Sequence, residues 1–266
     1  MDTLRLRKRV FGGDKYIEFV DPLVGQICAS NWGDGRGITR KQAEAVTSIG
    51  AVFQRTAITS FNELVYFTGV VEIAAYAFYL CSSLVELTFP PRVKILRTNA
   101  FAGTKVARIN GDWMSKMVGF EQSSVGGLSA FTDDLNFPNL EWVNQAGLYG
   151  TGTRKVISLG KITTLSNKAL NYSRDLVELW LPSTLTSIGS EATANCGKLD
   201  KVVILATTPP MLSNVNAFNQ NKATRKFYVP YSADHSILNA YKTAPVWLNF
   251  ESAFDELNED GTIPNN

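Results

Sequence analysis

The sequence predicts an α/β solenoid built from units of about 23 residues on a parallel β-sheet, with a helical amino-terminal cap and a carboxyl-terminal strand-helix cap. Three observations predict it. The strings Leu84-Val85-Glu86-Leu87-Thr88-Phe89-Pro90 and Leu176-Val177-Glu178-Leu179-Trp180-Leu181-Pro182 are nearly the same and stand 92 residues apart, four times 23. Between and around them a usually large anchor residue returns with apolar partners eight and five positions before it, in Val70/Ile73/Phe78, Val93/Leu96/Phe101, Leu140/Val143/Leu148, Ile162/Leu165/Leu170 and Leu185/Ile188/Thr193. Ala77, Ala100, Ala169 and Ala192 immediately precede four of these anchors, where a larger side chain would hold neighbouring turns apart.

After each anchor comes an L-x-x-L pattern, Leu84/Leu87, Val106/Ile109, Val156/Leu159, Leu176/Leu179 and Leu199/Val202, which reads as a short strand. One unit is too small to bury its apolar face, so stacking in register must line up the strands and merge the Leu, Ile and Phe side chains into one core. The material is ample: 266 residues, 45% hydrophobic, with 15 Phe, 9 Tyr and 5 Trp, which excludes wholesale disorder. Successive anchors differ by 23, 47, 22 and 23, and the double step predicts an expanded copy over about 111–137, with Trp113, Met117, Phe120, Leu128 and Phe131 as its apolar surface.

Five segments follow along the chain. Residues 1–15 form a basic arm in which Arg5, Arg7, Lys8 and Arg9 crowd together, a docking element for an acidic partner surface. Residues 16–57 form a helical cap, with the spacing of a short amphipathic helix from Lys41 to Ile49. Residues 58–226 are the solenoid, 227–250 the closing cap, and 251–266 an acidic tail without Lys or Arg. Met1 to Ile17 has no apolar run of leader type, and no stretch reaches about 18 apolar residues, so neither a secretory leader nor membrane insertion is expected. With 26 basic against 24 acidic side chains, nothing suggests attraction to nucleic acid.

The strings Ala74-Ala75-Tyr76-Ala77-Phe78-Tyr79-Leu80-Cys81-Ser82-Ser83-Leu84 and Leu181-Pro182-Ser183-Thr184-Leu185-Thr186-Ser187-Ile188-Gly189 resemble the BspA-like leucine-rich repeats common in surface proteins of anaerobic gut bacteria and in their bacteriophages. The resemblance runs from about Ile58 to Trp247 and puts Cys81 and Cys196 at equivalent places, three after their anchors. Phe227-Tyr228-Val229-Pro230, Tyr241 and Trp247 are similar to the segment that closes many such arrays. In relatives a calcium loop of dockerin or EF-hand type often precedes the repeats, and Asn31 to Thr39 resembles its remnant. With Ile38 at the hydrophobic eighth position, the ligand places fall to Asn31, Gly33, Gly35 and Gln42, and Arg36 stands where the central glycine belongs. Such a loop lacks the carboxylates calcium needs, and no metal or cofactor is expected.

Catalytic groups are scarce. His235 is the single histidine, no phosphate loop is present, and the three cysteines are widely spaced, as buried reduced thiols would be. No enzyme is expected. Recognition falls instead to residues facing outward between the leucines: Glu86 and Thr88, Arg108 and Asn110, Glu178 and Trp180, and Lys201, with Glu86 beside Arg108 and Glu178 beside Lys201 on neighbouring rungs. Trp180 is the expected anchor for protein or glycan, the alternative being burial near Trp113. With the resemblance, this implies a bacteriophage virion component, a tail or head accessory protein present in multiple copies that contacts virion proteins or a host-surface protein or glycan. The second reading is a bacterial cell-surface adhesin.

Overall fold

The computed structural model describes residues 15–265, so the basic cluster Arg5, Arg7, Lys8 and Arg9 lies outside the described residues. Each regular unit supplies two short strands. The L-x-x-L pattern is one, except that Val156 pairs with Leu179 and so takes the second place of the pattern, three residues out of register with the expected Val156/Leu159; the anchor's partner five positions earlier is the inward residue of the other, a strand not expected from the sequence. Among the described residues the strands build three sheets, all parallel. Seven two-residue strands, from Glu72–Ile73 to Met211–Leu212, run along one side of the array without interruption. The other side holds a three-strand sheet (Ser60–Phe61, Glu86–Thr88, Arg108–Asn110) and a six-strand sheet that starts at Leu135–Asn136 and ends at Phe254–Glu256. Leu, Ile, Val and Phe from all the rungs merge into one buried cluster.

The turns form a ladder of their own. Phe78 N donates to Ala100 O at 2.9 Å, Phe101 N to Ser124 O at 2.9 Å, Leu148 N to Ala169 O at 2.9 Å and Leu170 N to Ala192 O at 2.8 Å. Each anchor thus bonds the small residue of the next rung, which is the physical reason for the alanines. Such close stacking needs a special backbone. Two residues before each anchor, Tyr76, Asn99, Ser123, Ala146, Lys168 and Glu191 are left-handed with φ between 52° and 60°. A left-handed residue with a Cβ costs roughly 1–2 kcal/mol. Ala146→Gly is therefore expected to raise stability by about 0.5–1 kcal/mol, read from the urea midpoint; a lower midpoint would mean that the methyl group contributes more by packing.

Three residues after the anchors, Cys81, Thr104, Thr151, Ser173 and Cys196 line a buried column. Cys81 Sγ donates to Phe53 O at 2.9 Å and Cys196 Sγ to Leu170 O at 3.2 Å, while Thr151 and Ser173 bond each other at 3.1 Å. Burial raises the thiols of Cys28 and Cys81 and pushes Cys196 up to about 12, so none is a ready nucleophile. Thr193, the anchor without a large side chain, is fully buried and donates to Ala217 O at 3.0 Å.

The expanded copy over about 111–137 is expanded on one side only. It is regular in the seven-strand sheet, where Gly119 pairs with Ile95 and Trp142, and Ser124-Val125 supplies the small residue and anchor. Only the other ladder breaks, because ten residues lie between Ile109 and Phe120 where eight lie between Leu87 and Leu96. The surplus forms a 3-10 turn at Met114–Lys116 and carries Trp113 inward against Phe89, Phe131 and Phe137.

At the amino-terminal end, helix α1 (Pro22–Trp32), not expected from the sequence, and helix α2 (Arg40–Ala45) cover the first rung. The α2 helix is shorter than the span 41–49; Val46, Ile49 and Phe53 leave it as buried loop residues. In the α1–α2 loop, Asp34 accepts from Tyr16 Oη, the Arg36 guanidinium and the N–H groups of Arg36 and Gly37, while Gln42 caps α2 through Thr39.

At the other end, helix α3 (Ser236–Thr243) and a 3-10 helix at Trp247–Ala253 close the array. The segment 251–266 is not merely an acidic tail. Phe254–Glu256 is the last parallel rung, and Phe254 and Leu257 are 5% and 4% exposed. Apolar residues set among the acids give that stretch an inward face, which composition alone concealed.

Candidate binding surface on the strand ladders

The seven sheet-face residues singled out by sequence fall into two groups, because the broken ladder divides the expected broad surface. On the three-strand sheet, Glu86 pairs with Arg108 in register and Thr88 with Asn110. Thr88 Oγ1 donates to Asn62 Oδ1 at 2.9 Å, Asn110 Nδ2 donates to the same oxygen at 3.0 Å, and Asn62 Nδ2 donates to Glu86 Oε1 at 2.9 Å. Arg108 reaches Glu86 only at 3.9 Å and stays mostly exposed. Asn62, which directly follows the first strand of this ladder, is thus the hub of this network.

On the six-strand sheet Glu178 lies beside Lys201 in register, as expected, yet its ion pair is made with the preceding rung: Lys155 Nζ stands 2.7 Å from Glu178 Oε1. The same oxygen accepts the Trp180 indole N–H at 2.5 Å. Burial favours the neutral Glu178 acid, but the hydrogen bonds from Lys155 and Trp180 outweigh it and hold the carboxyl below its ordinary value. The indole is thereby fixed in orientation at neutral pH.

Trp180 is neither freely displayed nor buried near Trp113. It is half-buried, in a small outer cluster with Val203, Leu205, Tyr228, Leu257 and Ile263. Its rung neighbours form a column, since Trp180 pairs with Val203 and Val203 with Tyr228. Ile157 and Tyr228 in this column, and Lys155 and Lys226 beside it, were not among the residues singled out by sequence. Their signal was present in the outward offsets of the strands, obscured by unequal spacing between later units. On the seven-strand sheet a second half-buried indole, Trp142, lies flat over Gly119, where a Cβ would come within 2.0 Å of the ring.

His235 does not build a relay. Its Nδ1 lies 2.6 Å from Glu256 Oε2, and Ser232 Oγ reaches the other Glu256 oxygen at 3.3 Å. The carboxylate therefore stands between serine and imidazole, whereas nucleophile activation requires the imidazole in the middle. Among the described residues no group of three or more His, Cys, Asp or Glu side chains converges as a metal site, and no helix is long and apolar enough to cross a membrane.

No curated protein matches the chain. Among solved structures it is similar to a leucine-rich repeat protein from Bacteroides ovatus, at 15% identity and a TM-score of 0.43, over 71% of this chain and 58% of that one. It is also similar to the pneumococcal vaccine antigen PcpA, at 14% identity and a TM-score of 0.35, over 75% of this chain and 66% of that one. A leucine-rich cell surface protein from Faecalibacterium prausnitzii shares 14% identity at a TM-score of 0.31, over 71% of this chain and 67% of that one. The chain thus spans less than two thirds of the length of the Bacteroides ovatus protein. The pattern of BspA type leucine-rich repeat regions, in six copies, matches residues 47–124 and 127–230, well over half of the sequence. With its paired parallel ladders and its rungs of about 23 residues, the chain belongs to the BspA-type leucine-rich repeat family.

Proposed function

We propose that the chain is a non-catalytic recognition protein whose outward sheet faces bind a macromolecular partner. The observation that carries this reading is Trp180, an indole oriented by Glu178 on a sheet face and bordered by the Lys155 and Lys201 rungs. Half-buried, rigid aromatic residues beside charged groups are typical anchors of recognition surfaces. The polar network of Asn62, Glu86, Thr88, Arg108 and Asn110 is a second contact region on the same reading.

The setting is proposed from the family's occurrence: a tail or head accessory protein of a bacteriophage virion, with display on a bacterial cell surface as the competing reading. Mass spectrometry of purified particles and of washed-cell surface fractions separates them, and absence from the particles overturns the virion assignment. For the face itself, Trp180→Ala is expected to weaken binding to the cells or particles that retain the wild-type chain by about ten-fold or more, while costing about 1–2 kcal/mol of stability. Unchanged binding by a folded variant would remove Trp180 from the surface.

A further inference from the structure

We propose that the acidic carboxyl-terminal end of the array is the docking site for the basic amino-terminal arm of a second copy of this chain, so that copies join head to tail. The inference goes beyond recognition by the Trp180 face and concerns the two ends of the molecule.

Those ends are unlike. At the amino-terminal end the first rungs are covered: Thr59 N donates to Asp21 Oδ2 at 2.6 Å, Val20 N donates to Glu63 Oε1 at 3.0 Å, and a Cβ at Gly69 would come within 2.7 Å of the carbonyls of Glu44 and Val46. At the other end the six-strand sheet stops at Phe254–Glu256, with no strand beyond it among the described residues. In a parallel ladder successive residues turn their N–H and C=O groups to opposite sides. Leu257 N donates to Val229 O, on the paired side, so the groups of Phe254 and Glu256 point along the other edge. There Glu256 N is met by the side chain of its own neighbour, Asp255 Oδ1, at 2.9 Å. Such an edge is a template for a further strand.

Charge selects the occupant. The elements that close the array, residues 227–265, carry six acids, Asp234, Glu251, Asp255, Glu256, Glu259 and Asp260, against one lysine, Lys242. Lys226 on the adjacent strand makes two lysines against six carboxylates. Glu256 is taken by His235 and Asp260 accepts from Thr262, but among the described residues Glu251, Asp255 and Glu259 make no ion pair.

The complementary segment lies on the same chain. Arg5, Arg7, Lys8 and Arg9 are four cations in five residues, and an extended Leu4-Arg5-Leu6-Arg7 sets its arginines on one side and its leucines on the other. Beside Phe254–Glu256, the arginines fall on the face of Asp255 and the leucines on that of Phe254, which pairs with Phe227. The arm joins the fold at Lys15, in a groove with Arg40, Lys41 and Glu44, where Glu18 is already held by Lys15. Its own far end is out of reach. The nine strands from Ser60–Phe61 to Phe254–Glu256 span about 38 Å, at about 4.8 Å per step. From Lys15 the chain extends about 25 Å to Lys8 and about 36 Å to Arg5 at most. The acidic end that the arm meets is therefore that of another copy.

Sedimentation velocity of the full chain tests this. Wild type is expected to associate with a Kd of about 10 μM. Replacing the arm cations (Arg5→Gln, Arg7→Gln, Lys8→Gln, Arg9→Gln), or separately the free acids (Glu251→Gln, Asp255→Asn, Glu259→Gln), should weaken association about ten-fold or more. Mixed in equal amounts, the two variants should form a heterodimer and nothing longer, because the intact arm of one meets the intact acidic end of the other. Glu251→Gln with Glu259→Gln, both exposed, should show a smaller loss and serves if the triple variant does not fold. A wild type still monomeric at about 100 μM, association indifferent to either set of substitutions, or a mixture that behaves as its separate components overturns the proposal.

Discussion

Trp247→Ala is expected to destabilise the carboxyl-terminal end of the array by about 3–5 kcal/mol. The indole is 1% exposed, touches Phe218, Phe227, Tyr241, Phe250 and Phe254, and donates to Pro210 O at 2.7 Å. Truncation leaves both a cavity and a buried carbonyl without its donor. In a solenoid each rung contacts mainly its neighbours, so the loss should appear locally. Hydrogen exchange should accelerate over 199–229 and in α3, with the rungs between Ile58 and Phe101 unchanged. Equal acceleration along the whole array would show that the solenoid unfolds as one unit and that its cap has no local role.

Asp21→Ala is the corresponding experiment at the other end, with an expected cost of about 3 kcal/mol. Asp21 caps α1 through Leu23 N at 2.9 Å and ties it to the first rung through Thr59 N at 2.6 Å and Thr59 Oγ1 at 2.9 Å. Burial favours the neutral acid, yet the hydrogen bonds from Thr59 and Leu23 outweigh it and hold the carboxyl below its ordinary value of 3.8. A carboxylate with a lowered folded pKa contributes stability that is present in full above the unfolded value and lost as pH falls through the folded one. Wild-type stability should therefore decline below about pH 4, and Asp21→Ala should lose that part of the decline along with the hydrogen bonds. An unchanged acid limb in the variant would assign the decline to other carboxylates.

The pH dependence and the two caps show where local sequence ceases to be sufficient. Asp21 reads as an ordinary helix N-cap, and nothing near it in sequence points to Thr59, which becomes a partner only when the cap docks. The same holds for Asn62 and for Glu178: the rung repeat correctly set Glu86 against Arg108 and Glu178 against Lys201, because register follows from inward leucines at fixed offsets. Which neighbour a flexible side chain then selects depends on its reach, and Glu178 took Lys155. Trp180 was legible as an outward aromatic residue. Its partial cover was not, since Leu257 and Ile263 follow the array and carry no part of its period.

What the amino-acid order settled alone was the repeat and its limits: the stacked rungs, the small residues before the anchors, the equivalence of Cys81 and Cys196, and the presence of a cap at each end. Periodic burial leaves a repeating trace because each rung meets the same surroundings. The second ladder follows the same period, through the partner five positions before each anchor; the tertiary structure alone decided the break after Asn110, the final rung at Phe254–Glu256 and the half-covered face at Trp180. Those features arise where segments distant along the chain come together once, and a contact made once leaves no period to read.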